Sequence, residues 1–247
     1  MTVDLPTLSE LEAARPPVAA EIRTIGVIDS PRILAIKEAA TSLGARTGLV
    51  TRATAIMSDM NAMKVDLDRI FAFQFLVLPQ NVIPPVLVEG RAAVSLPDNR
   101  ILNIVDRVYR IEEQARFTTT PISWRDYLYR GLSVNGRAVS WPDAALLPQT
   151  NPEKQVWQEN IRIGWENGVA QADSIFQINL ARLERDFNGM LLYHELKRKN
   201  MVSEPMVANA NFGVTGNADH QLNINERVYR ITVTPAFKLD PKQWMPR

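Results

Sequence analysis

Cysteine is absent from the 247 residues, which removes disulfides, thiolate nucleophiles and every cysteine-containing zinc site. Histidine is scarce: His194 and His220 are the only two, and each reads as a lone surface or helix-end imidazole. His194 cannot combine with its neighbour Glu195 in a metal site, because adjacent helical residues do not face each other. A long apolar run is also lacking. The most apolar stretch, Ile70 to Val88, is broken by Gln74, Pro79, Gln80, Asn81, Pro84 and Pro85, short of the ~20 apolar residues that span a bilayer. No charge of one sign dominates: 28 Lys plus Arg against 27 Asp plus Glu leave +1. No long-range field therefore draws the whole chain onto nucleic acid or anionic lipid. The opening MTVDLPTLSELEAARPPVAA carries acids and prolines where a secretory signal needs a basic start and an apolar core, so no export signal is read there.

What is present, 46% hydrophobic and 22% charged residues, is the balance of a globular protein with a sizeable core. The chain also contains itself twice. Leu102–Ile111 reads LNIVDRVYRI and Leu222–Ile231 reads LNINERVYRI, an offset of 120 (222 − 102). The same offset pairs Val94 with Val214, Pro85 with Pro205, Val82 with Val202, Gly48 with Gly168, Gly44 with Gly164 and Phe117 with Phe237. This period is far longer than that of solenoid units, which points to one duplicated module.

In the first copy Leu49, Ala53, Ile56, Met60, Met63, Leu67 and Ile70 form an apolar stripe at helical spacing. Its counterpart is Val169, Asp173, Phe176, Leu180, Leu183, Phe187 and Met190, broken only at Asp173, where Ala172 permits close approach of a neighbouring helix. Two long helices are expected to pack along this seam, with Leu183 and Met63 in the core. Their starts are read at Ser30 before Pro31 and at Asn151 before Pro152. Pro79 stops the first by Leu78, and Lys197, Arg198 and Lys199 followed by Asn200 end the second. A helix from Ser30 to Leu78 would be about 70 Å long. A kink is therefore expected near Gly44 and Gly48 and near Gly164 and Gly168, the alternative for these glycines being close helix packing.

After each helix the apolar period becomes 2, as in Tyr109 and Ile111 or Tyr229, Ile231 and Val233. Strands are expected there, with Asp106 and Glu226 near hairpin turns and Gly213-Val214-Thr215-Gly216-Asn217 as a turn between strands. Pro121–Leu132 reads as a short helix capped at Ser123, and Asn135–Thr150 as a connection marked by Gly136, Pro142 and Pro148. The fold class is α+β: two sequence-related helix-plus-strand modules with long packed amphipathic helices and antiparallel strands, in one sheet or two. Residues 1–29 read as a flexible segment and 30–247 as a single domain built from repeats at about 44–117 and 164–237.

Chemistry-bearing patterns dissolve on inspection. No serine sits in a G-x-S-x-G elbow, and the glycines around Val214 lack the Lys-Ser/Thr ending of a phosphate loop. Glu112 with Glu113, or Asp66 with Asp186, could serve as paired acids on a glycan only at roughly 5 to 9 Å separation; they read as solvated faces. Arg107 and Arg110, recurring as Arg227 and Arg230, stand beside acids and read as strand-edge salt bridges, not as a nucleic-acid surface. No catalytic, cofactor or metal residue is assigned. Trp124, Arg125, Tyr127, Tyr129 and Arg130 are residue types that interfaces favour, and they form the candidate partner surface. Core packing is the alternative for Trp124 and Tyr127.

Several segments carry a family resemblance: KEAATSLGARTGL, VIPPVLVEGR, TTTPISWRDYL, LLPQTNPEKQVW, GWENGVAQADSIF, RDFNGMLLY, NMVSEPMVA and GVTGN, in this order between about residue 33 and Trp244. Together they resemble the DotC and plasmid TraI lipoproteins of type IVB secretion and conjugation systems. The resemblance implies a non-enzymatic scaffold at the periplasmic face of the outer membrane, joined with DotD-like and DotH-like subunits in a ring-shaped core complex. It implies no cofactor, and a membrane tie only through an N-terminal lipid. The signal peptide and lipid-carrying cysteine of the family are absent from this sequence, so Met1 is expected to be a trimmed start. The alternatives are a periplasmic peptidoglycan- or ligand-binding module and a cell-wall-remodelling enzyme.

Overall fold

Pro31 opens the first long helix because its missing N–H and fixed φ suit the first helical turn. The computed structural model describes residues 5–14, 31–98, 101–132, 140–217 and 220–245; Ser30, expected as the cap, and Gly136, in the expected connection, lie outside them. The helices are α1 (Leu8–Glu12), α2 (Pro31–Ala62), α3 (Lys64–Ile70), α4 (Trp124–Leu128) and α5 (Asn151–Arg198). The strands are β1 (Val82–Ile83), β2 (Val86–Asp98), β3 (Ile101–Glu113), β4 (Arg116–Phe117), β5 (Met206–Asn217) and β6 (Gln221–Val233). The architecture is α+β. The chain forms two compact units, Met1–Ile70 with Trp124–Ala181 and Phe71–Ser123 with Arg182–Arg247.

The first unit is helical. Leu11, Ile36, Ala40, Leu43, Leu147, Trp157 and Ile161 form its buried cluster. Within the stretch read as flexible, Leu8–Glu12 is helical: Thr7 and Glu10 complete a capping box, Leu11 is buried, and the Trp157 indole N–H donates to the Leu11 carbonyl at 2.9 Å. The expected kinks at the glycines do not occur, since α2 and α5 run unbroken through all four. Close packing is their reason. A Cβ on Gly44 would stand 2.3 Å from the Ile161 carbonyl oxygen and one on Gly48 2.4 Å from that of Trp165. In return, a Cβ on Gly164 would meet the Thr41 oxygen at 2.3 Å and one on Gly168 the Ala45 oxygen at 2.1 Å. Thr41, Gly44, Ala45 and Gly48 are the repeat mates of Ile161, Gly164, Trp165 and Gly168, so the two parallel helices meet as related copies would across a twofold axis. Each glycine costs its helix about 1 kcal/mol relative to alanine, a cost that backbone-to-backbone approach must offset through dispersion and Cα–H···O contact.

Ion pairs flank the seam at an offset one residue longer. Arg32 Nε donates to Glu153 Oε1 at 2.8 Å and Arg52 Nε to Asp173 Oδ1 at 2.7 Å. Asp173, the one break in the apolar stripe, is thus the partner of an arginine on α2. The cap of α5 is Thr150, one residue before the expected Asn151. Thr150 Oγ1 accepts the Glu153 N–H at 3.4 Å, and Glu153 Oε2 accepts the N–H groups of Gln149 at 2.8 Å and Thr150 at 3.2 Å. Burial pushes the Glu153 carboxyl up, but the bonds from Arg32 and the two backbone N–H groups outweigh it and hold the carboxyl below the ordinary glutamate range.

The expected seam also ends early. Ala53, Ile56 and Met60 are buried, but Met63 is 52% exposed and Ile70 59%, and α2 stops at Ala62 instead of running to Leu78. Met63 separates α2 from α3 and turns away from the core. The Pro121–Leu132 helix is shorter than expected, spanning only Trp124–Leu128.

The second unit gathers both pairs of long strands around the end of α5. Leu78, Val82, Leu87, Ala115, Tyr193, Leu196 and Val202 form its buried cluster, with Tyr109, Ile111, Val207 and Ile231 packed against it. Phe71 and Phe73 each meet Phe187 in a T-shaped arrangement, ring centres 5.3 and 5.2 Å apart. Burial pushes the Tyr193 hydroxyl up to about 12, and that hydroxyl donates to the Ser203 carbonyl at 3.4 Å. Asn200, in the left-handed region at φ 58°, ends α5 with the paired bonds Asn200 N–H to Lys197 O and Met201 N–H to Leu196 O, both 2.9 Å.

The repeat holds in the strand register. Leu87 faces Ile111 as Val207 faces Ile231, Gly90 faces Val108 as Ala210 faces Val228, and Val82 faces Phe117 as Val202 faces Phe237. Both ladders carry a bulge at the same place, between Val86 and Leu87 and between Met206 and Val207. They remain separate two-stranded sheets. Asp106 and Glu226 lie inside β3 and β6 and not at turns, because the ladders pair on as far as Asp98 with Ile101 and Asn217 with Gln221. The Gly213–Asn217 stretch is likewise strand, the last part of β5.

Gly44→Ala and Gly168→Ala are each expected to lower unfolding free energy by about 2 kcal/mol or more, despite better helix propensity; an unchanged or raised denaturant midpoint would overturn the seam. Leu183→Asp should cost several kcal/mol, on the order of total stability, and Met63→Asp no more than about 0.5 kcal/mol, as equilibrium denaturation would measure. The stability contributed by the Glu153 carboxylate is present above the ordinary glutamate range and is lost as pH falls through its lowered value. Glu153→Gln should accordingly flatten the acid limb of a stability-versus-pH curve, and a curve that stays parallel to that of the parent chain would refute this.

Candidate functional site

The five residues read as a partner surface lie on α4 and the turn that follows it, in the first unit. The structure draws three of them together around Asp68 of α3. The Trp124 indole N–H and Arg125 Nη1 both donate to Asp68 Oδ1 at 2.7 Å, and Arg125 Nη2 reaches Oδ2 at 3.4 Å. The Arg125 guanidinium carbon stands 4.2 Å from the centre of the Trp124 ring, over its face. Tyr129 meets Trp124 edge-on at 5.7 Å, and its hydroxyl reaches Asn61 Oδ1 at 3.5 Å. The bonds from Arg125 first, and then from Trp124, hold the Asp68 carboxyl below the usual aspartate range; Asp68 in turn holds the Arg125 guanidinium up.

Trp124 itself is interior, 1% exposed. Arg125, Tyr127 and Tyr129 are partly buried and Arg130 is exposed. The Arg130 carbonyl accepts from Asn179 Nδ2 at 2.6 Å, and Gly131 turns the chain at φ 75°. The cluster therefore presents an arginine-and-tyrosine surface braced by a buried tryptophan.

Of the acids weighed for glycan chemistry, Glu112, Glu113 and Asp186 are paired with arginines, and Asp66 is exposed on α3. Asp186, buried, accepts from Arg185 at 2.6 Å, and Arg185 also reaches Glu113 at 3.2 Å. Glu112 lies 3.6 Å from Arg110, and Arg107 lies 3.7 Å from Glu89 across the ladder. His194 Nε2 is bonded to the Leu76 carbonyl at 2.8 Å. Among the described residues no group of three or more metal-ligating side chains converges, and no helix is long and apolar enough to cross a membrane.

A second surface was not foreseen from sequence. The outer parts of the hairpins expose large apolar side chains: Ile104 is 65% exposed, Val214 66%, and Leu222 and Ile224 70% each. Val214 pairs with Ile224 and Val94 with Ile104, so the two repeats place the same pair at the same register. The signal available was β5, MVANANFGVTGN, which contains no charge and no proline, the devices that usually guard a free strand edge.

Asp68→Ala removes the acceptor of a buried indole N–H as well as an ion pair, whereas Arg125→Ala removes only a partly solvated partner. The first is expected to destabilise the chain more than the second and to alter tryptophan emission; the opposite order in denaturation midpoints would contradict this account of the cluster.

A comparison with curated proteins found no match. The family described as "Type IV secretory system, conjugal DNA-protein transfer" matches residues 30–246, which takes in both repeats, the α4 cluster and both hairpins. With the register of the duplicated ladders and the matched extent in agreement, the chain belongs to this TraI family of type IV secretory systems.

Proposed function

We propose that this protein is a non-enzymatic structural subunit of the outer-membrane core complex of a type IVB secretion or conjugal transfer system. In this reading it stands at the periplasmic face of the outer membrane and assembles with DotD-like and DotH-like subunits. One observation carries the proposal. Two repeat-related ladders of two strands each extend their outer parts, apolar side chains exposed, with no third strand paired to them among the described residues. A β3 or β6 of 13 residues is about 43 Å long, and an isolated two-stranded ladder is marginal in water. Such edges gain stability when a neighbouring chain adds a strand or covers the apolar side chains. The surface built by Arg125, Tyr127, Tyr129 and Arg130 is a second contact of the same kind.

Residues 30–247 are proposed to fold as one domain built from the two repeats. The first repeat gives α2 to one compact unit and β2–β3 to the other; the second divides α5 between them and adds β5–β6. A single unfolding transition, seen alike by tryptophan emission and far-ultraviolet dichroism, is expected. Two separable transitions would refute it.

Co-expression with DotD-like and DotH-like subunits and co-purification tests the assembly. Association is expected with the parent chain, and Ile224→Asp combined with Val214→Asp should weaken it by about tenfold or more while leaving the dichroism spectrum unchanged. A chain that associates with neither subunit, or a double variant that associates as well as the parent, would sink the scaffold reading.

A further inference from the structure

Beyond its strand edges, the second unit carries another outward-facing apolar feature, the loop that follows β6. Lys238 N–H donates to the Met201 carbonyl, the Trp244 indole to the Lys238 carbonyl and Met245 N–H to the Lys199 carbonyl, each at 2.9 Å. Asp240 Oδ1 accepts the Lys242 N–H at 3.0 Å. This bonding gives the loop a definite form against the end of α5. It nevertheless leaves Leu239 90% exposed, Met245 63% and Trp244 37%.

Several cations, and the one carboxylate of Asp240, stand around these side chains. A groove of about 560 Å³ runs beneath the loop, and its lining includes Arg107, Lys199 and Lys238 and, among the described residues, no carboxylate. Two of these charges are partly offset, since Lys199 pairs with Glu195 and Arg107 lies 3.7 Å from Glu89. Lys238 donates to the neutral Asn200 amide oxygen. Lys242, within the loop, has no carboxylate partner among the described residues.

We propose that this loop is a lipid-contact patch that docks on an anionic membrane surface. Leu239, Trp244 and Met245 enter the interfacial layer, and Lys238, Lys242, Lys199 and Arg107 meet lipid phosphates. Apolar groups that project outward, with a tryptophan at their base and cations around them, match a flat interface whose depth is apolar and whose surface is negative. A peptide ligand would be gripped by recessed anchors, whereas Leu239 is the most exposed of the large apolar side chains among the described residues. The proposal does not rest on the secretion reading, because it concerns this chain and lipid alone.

The test is co-sedimentation of the 247-residue chain with vesicles of phosphatidylethanolamine and phosphatidylglycerol, and with vesicles of phosphatidylcholine alone. Binding to the anionic vesicles is expected, about tenfold or more tighter than to the neutral ones and weakened by salt. Leu239→Asp with Met245→Asp, both at exposed positions, should reduce it by a similar factor with the dichroism spectrum unchanged. Lys238→Gln with Lys242→Gln should reduce the preference for anionic lipid, and quenching of tryptophan emission by brominated lipid should diminish in Trp244→Phe. Failure to bind anionic vesicles at low salt, equal binding to neutral vesicles, full binding by the Asp variant, or capture of a soluble acidic peptide without vesicle binding would each overturn the proposal.

Discussion

Backbone rests on backbone where α2 meets α5. Four glycines, two from each helix, remove the side chains that would hold the axes apart, and the carbonyls of Thr41, Ala45, Ile161 and Trp165 fill the space where Cβ atoms would stand. A contact this close has little tolerance, because a single methyl group has nowhere to go and interiors packed at crystal density transmit the displacement. The register of the two helices is therefore tied to the positions of the glycines. The flanking pairs Arg32 with Glu153 and Arg52 with Asp173 agree with that register.

The same duplication runs through the strands, with a different outcome. In the helical unit the two copies of the module bury each other, with like residues on both sides of the seam. In the strand unit their inner ends share a core around Tyr193 and Leu196, while their outer ends stay as two ladders of two strands. A duplicated element that finds its mate is satisfied; one that does not offers the same surface twice. Ile104 on one ladder and Val214 with Ile224 on the other carry that surface.

Much of this was legible in the residues. The offset of the LN-I--RVYRI segments located both ladders, and the glycine pairs at the same offset marked the seam. The periodicity that found the helices ended the second correctly and overran the first. Met63 and Ile70 continue the apolar stripe of α2, yet both are exposed, because an apolar period records which residues share a helix face and not where the opposing surface stops. Asp106 and Glu226 were expected near hairpin turns, but in a two-stranded ladder open to solvent on its outer part polar and apolar residues occupy strand positions alike. The aromatic cluster shows the same limit. Its composition was plain, but the inward turn of Trp124 depends on Asp68, a residue of another helix.

By itself the sequence determined that the chain is a duplicated α+β module, that glycines recur on both long helices, and that cysteine chemistry is absent, since these follow from residue identity and spacing. Only the tertiary structure decided that the glycines serve a close seam and not a kink, that the seam is abandoned after Met60, and that the two ladders stay unjoined. The physical reason is that such outcomes depend on which atoms lie opposite, a relation between residues more than a hundred positions apart that no local pattern encodes.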